Sequence, residues 1–151
     1  MKLEFLESGS PDCPLVRLYG FDATEAIRLR SILQSLSRGT IKSYELHSDP
    51  AIQAVDRCHL TLKLHTCDAG TLLHGNSTFE CMFTAEGWRT VEYRLAPFCE
   101  PATAGNGHQW LTEKETSVSS CRPMDGGELP YLLPIGVYPV HRRLFVFDLL
   151  R

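Results

Sequence analysis

Hydrophobic and polar positions alternate most clearly over residues 79–98, FECMFTAEGWRTVEYRLAPF. Phe79, Cys81 and Phe83 fall on one side of an extended chain, with Glu80, Met82 and Thr84 on the other. Beyond a polar break at Ala85-Glu86-Gly87, Trp88, Thr90, Glu92 and Arg94 oppose Arg89, Val91, Tyr93 and Leu95. Both arms are rich in aromatic residues, and a short turn carrying glycine joins antiparallel strands, so the pattern predicts a β-hairpin. A second alternation runs over residues 57–66, where Cys58, Leu60, Leu62 and Leu64 oppose His59, Thr61, Lys63 and His65. It predicts a half-buried strand. Shorter runs at 2–6, 15–21, 41–47, 108–114 and 144–149 also read as strands.

The period changes at Asp22. From Ala23 to Ser37, Ala26, Ile27, Leu29, Ile32, Leu33 and Leu36 form one apolar stripe, the mark of an amphipathic helix. Asp22 and Glu25 make a capping-box pattern at its start, and Gly39 supplies a left-handed stop at its end. Residues 15–47 therefore read as β-α-β, with a crossover between parallel strands as one way to close the unit. Asp49-Pro50 reads as the start of a short helical turn, and residues 68–78 as a connection. Pro130, Pro134 and Pro139 confine the segment between them to a sheet edge. The expected fold is α+β: a mainly antiparallel twisted sheet with the 23–37 helix packed on one face. A small β-barrel-like closure is the alternative. Residues 1–151 are expected to form a single domain with an irregular, loop-rich region at 99–128.

Composition narrows the functional classes. The chain has 151 residues and 43% hydrophobic content, enough to bury a core without covalent help. Its formal charge of −3 gives no general attraction for polyanions, and Arg28/Arg30 and Arg142/Arg143 are too small to form a nucleic-acid footprint. No nucleic-acid partner is expected. The first residues, MKLEFLESGSPD, lack the apolar stretch of a secretory signal, and the apolar run 131–140 is interrupted by Pro134, Gly136 and Pro139. These features point to a cytoplasmic chain with no membrane association, beginning at Met1. In that setting Cys13, Cys58, Cys67, Cys81, Cys99 and Cys121 are expected mainly as thiols.

The donors zinc prefers gather at Cys58, His59, His65, Cys67 and His74. His65 and Cys67 share a strand face and His74 follows a turn, but this set is one ligand short and matches no finger or ribbon spacing. Cys99, His108 and Cys121 bring thiols and an imidazole to the irregular segment, without a nucleophile-elbow or papain-like context. The glycine-bearing AGNGH at 104–108 and DGGE at 125–128 lack the Walker lysine and GxGxxG spacing, while Asp125 and Glu128 lack the further oxygens a divalent cation needs. Trp88, Arg89, Tyr93, Arg94 and Trp110 are of the types that anchor interfaces. The expected function is thus a non-catalytic binding or assembly domain whose partner is itself or another protein. The alternative is a small metal- or thiol-dependent enzyme built on His65/Cys67 or on Cys99/His108/Cys121.

Overall fold

The computed structural model describes residues 1–8, 15–100, 108–110, 137–138 and 145–148. Expectations for Cys13, Cys121, the glycine pieces around 104–107 and 125–128, and most of the 99–128 and 130–139 segments lie outside them.

Two apolar strands open the fold. β1 (Lys2–Leu6) pairs antiparallel with β2 (Leu15–Tyr19), Leu3 opposite Leu18 and Phe5 opposite Val16. Because side chains alternate along a strand, these four share the face turned to the core. Helix α1 (Ala23–Ser37) follows, its first turn closed by the expected box: Glu25 N–H donates to Asp22 and Asp22 N–H donates to Glu25. Gly39 adopts φ +72 just past its end, and Ala26, Leu29, Leu33 and Leu36 are buried.

β3 (Ser43–Glu45) pairs antiparallel with β5 (His59–Leu64), whereas β2 lies in the other sheet. The two strands flanking α1 are therefore not partners, and no β-α-β crossover forms between them. A single helical turn covers Leu46–Ser48, ahead of Asp49 rather than after it. The Asp49 carboxylate is taken up by Tyr44, Ala51 and Arg28, so it does not cap a helix. β4 (Gln53–Ala54) then runs beside β1.

The remaining strands complete two mixed sheets. β6 (Gly70–His74) lies within the stretch expected as a connection; it pairs antiparallel with β7 (Thr78–Phe83), which runs parallel to β5. β8 (His108–Trp110), β9 (Val137–Tyr138) and β10 (Phe145–Asp148) finish the strand orders β4-β1-β2-β10-β8 and β3-β5-β7-β6-β9. β9 is an edge strand, in keeping with its proline-flanked sequence. The expected single, mainly antiparallel sheet is thus replaced by two sheets with both kinds of pairing, and no closed barrel forms among the described residues.

The largest departure concerns the predicted hairpin. Its first arm is β7, but the second is a helix, α2 (Ala85–Leu95). Read with period two, Trp88 falls opposite Val91 and Leu95; read with period 3.6, all three fall on one face, and all three are buried. Thr84 caps the helix by accepting from Gly87 N–H at 3.1 Å, and its own N–H donates to Asp68 at 2.7 Å. Collecting the large apolar groups on one side outweighs the strand propensity of the aromatic residues. So α1 is one of two α-helices among the described residues, and it packs on the other: the Glu92 carboxylate of α2 accepts from Arg30 at 2.5 Å and from Gln34 at 3.2 Å.

One apolar cluster joins both sheets and both helices. Leu3, Val16 and Leu18 come from the first sheet; Leu60, Leu62, Phe79 and Cys81 come from the second. Phe5 and Phe79 meet across the junction with ring centroids 4.8 Å apart and planes tilted by 53°.

Candidate functional site

The reach of a helix depends on the face left outside. On α2, Trp88, Val91 and Leu95 turn inward, and the Trp88 indole N–H donates to the Lys63 carbonyl at 2.9 Å. Glu86, Arg89, Thr90 and Tyr93, at spacings of three and four, form the opposite stripe and are all exposed. Glu86 pairs with Arg89, and Tyr93 is 78% exposed. Of the expected binding residues, Arg89 and Tyr93 therefore share one outward surface, Trp88 belongs to the core, and Arg94 lies in the last turn of the helix. Trp110, on β8, pairs with Val146 of β10, and β8 runs near α2.

Of the expected imidazole and thiol donors, His65 and Cys67 come together, with Cys67 Sγ 3.4 Å from His65 Nδ1, but His74 does not join them. His65 N–H donates to the Phe83 carbonyl at one end of β7, while His74 adjoins Leu73, which pairs with Phe79 at the other. Four residues of strand separate the two ends by about 13 Å at the usual rise. His65 Nδ1 accepts from Cys67 N–H at 3.3 Å, and Cys67 is in a disulfide, which removes its thiolate from the donor set. His74 lies 3.4 Å from the Glu80 carboxylate, which also pairs with Lys63. His59 stacks on His47 with ring centroids 4.4 Å apart and planes within 6°. Among the described residues no group of three or more His, Cys, Asp or Glu side chains is placed to hold a metal.

Cys58, Cys81 and Cys99 are free and buried. Burial pushes the Cys58 and Cys81 thiols up to about 12, so both stay protonated at neutral pH. It also raises Cys99, against the pull of Arg30 nearby, and the Cys99 S–H faces the Leu95 carbonyl at 3.9 Å. These are the properties of packed thiols rather than of nucleophiles. His108 pairs with Asp148 between β8 and β10, and Cys121 lies outside the described residues, so the grouping with Cys99 is not brought together by anything described.

Sequence reasoning missed one polar cluster. Asp49 is 4% exposed and accepts from Tyr44 Oη at 2.6 Å, from Ala51 N–H at 2.8 Å and from Arg28 at 2.9 Å. Burial alone would raise its carboxyl, but these donors hold it below the ordinary aspartate value. With three donors on its two oxygens and Arg28 half exposed, the carboxylate ties the segment after β3 to α1. No spacing rule marks it, because its members are joined only by the fold.

No helix among the described residues is long and apolar enough to cross a membrane. Comparison with protein-family models, with curated proteins and with solved structures finds no match for the chain.

Proposed function

We propose that this chain is a non-catalytic binding or assembly domain that meets a protein partner through the outward face of α2. The observation that carries the reading is Tyr93, a large side chain held 78% exposed on a helix whose opposite face is anchored in the core. Tyrosine combines apolar area with a hydroxyl and loses little rotamer freedom on binding, which makes it a frequent interface anchor. Arg89 and Thr90 flank it on the same stripe with polar groups suited to a rim. The reading also accords with thiols that are buried and protonated rather than poised for attack.

Sedimentation over a concentration range, together with partner capture from lysate, tests it. The native chain is expected to self-associate or retain a partner, and Tyr93→Ala with Arg89→Glu to abolish that at least tenfold. The melting temperature should fall only slightly, because neither side chain is part of the core and the Glu86–Arg89 pair lost in the variant is a surface one. A strictly monomeric chain that retains no partner, or undiminished association in the double variant, overturns the proposal.

A further inference from the structure

The turn joining β6 to β7 reads Gly75-Asn76-Ser77, and Thr78 begins β7. Asn76-Ser77-Thr78 is an Asn-X-Thr tripeptide whose middle residue is not proline, the acceptor pattern for N-linked glycosylation. Tripeptides of this kind arise by chance, so their placement decides whether they matter. A tripeptide buried in a strand would be out of reach. Here Asn76 is exposed at the tip of the turn, and the space around the neighbouring Gly75 is open to at least 4 Å. Gly75 and Ser77 both take positive φ, +75 and +58, so the chain reverses sharply and projects Asn76 from the end of the sheet. The backbone beneath is held, since His59 N–H donates to the Ser77 carbonyl at 2.8 Å and Phe79 is fully buried. A large substituent on Asn76 therefore displaces nothing in the core.

A second observation points to the same compartment chemistry. Cys67 is in a disulfide, a bond that persists in the oxidising environment of the secretory route, where oligosaccharide transfer also takes place. We propose that Asn76 is an N-glycan acceptor. This places the chain on the lumenal side of that route, against the cytoplasmic expectation drawn from its first residues. The co-reactant is a lipid-linked oligosaccharyl diphosphate. The Asn76 carboxamide nitrogen forms a bond to the sugar anomeric carbon while the bond from that carbon to the diphosphate oxygen breaks. One amide proton passes to a base of the transferase, and the lipid diphosphate leaves. Neither partner is oxidised or reduced.

The test directs the full chain into the secretory route of a eukaryotic cell behind a cleavable leader, with a C-terminal tag carrying its own acceptor to report delivery. Glycosidase-sensitive mass is then measured by gel shift and by mass spectrometry of the peptide containing Asn76. The native chain is expected to carry glycan on both the tag and Asn76. Asn76→Gln and Thr78→Ala should each lose the Asn76 glycan and keep the one on the tag, whereas Thr78→Ser should retain some of both. A chain with a modified tag and a bare Asn76 overturns the proposal.

Discussion

Asp49 shows how much a single residue can depend on its surroundings. From the sequence it is a helix-start aspartate ahead of Pro50; in the structure it is a buried carboxylate with donors from Tyr44, Ala51 and Arg28. Its folded pKa is lowered, so the stability it contributes is present above the unfolded aspartate value, about 3.9, and is lost as pH falls through the folded value. Asp49→Asn should cost about 1–3 kcal/mol at neutral pH, the range for leaving buried hydrogen-bonding groups poorly paired. That penalty should shrink as the pH is lowered from 5 toward 3, as read from denaturant midpoints of both proteins. A penalty that stays constant over this range would mean that the Asp49 charge is not what the cluster uses. Cys58, Leu60 and Leu62, by contrast, were legible as core residues from alternation alone, and all three are buried.

At the scale of the element, α1 and α2 form an instructive pair. The capping box and broad stripe of α1 are local signals, and the helix occupies the residues that carry them. α2 has a weaker local signature: Thr84 is a good cap, but Gly87, Thr90 and Tyr93 favour other states, and the aromatic content suggests a strand. What decides is the burial of Trp88, Val91 and Leu95 together, a term that exists only once the sheet and α1 are there to receive them. Gly87, in the first turn of α2, lies close against Asp68 and Phe83. A Cβ added there would lie 2.5 Å from Asp68 Oδ1 and 2.9 Å from Phe83 Cβ. Helix propensity favours alanine over glycine by about 1 kcal/mol, but the clash involves a carbon next to the backbone that cannot swing aside. Gly87→Ala is therefore expected to destabilise by about 1–3 kcal/mol in urea unfolding, and a stabilised variant would contradict this packing. Thr84→Ala should cost about 1 kcal/mol through the lost cap.

Across the whole molecule, two sheets with separate strand orders are held together by shared side chains, of which Phe5 and Phe79 are the clearest pair. A double-mutant cycle with Phe5→Leu and Phe79→Leu should give a coupling energy of about 0.5–1.5 kcal/mol beyond the cost of each change alone. A coupling near zero would show that the sheets are joined by other contacts. The division between sequence and tertiary structure follows from the range of the forces involved. Period, capping and turn chemistry act within a few residues, so the chain by itself determined the α+β class, the bounds of α1, and the strands at 2–6 and within 57–66. Which strands pair, how β2 and β3 come to lie in different sheets, why α2 is a helix, and that Tyr93 faces out while Trp88 faces in all depend on contacts between residues distant in sequence. Those contacts bury apolar area only after the chain has closed on itself, and no local pattern records them.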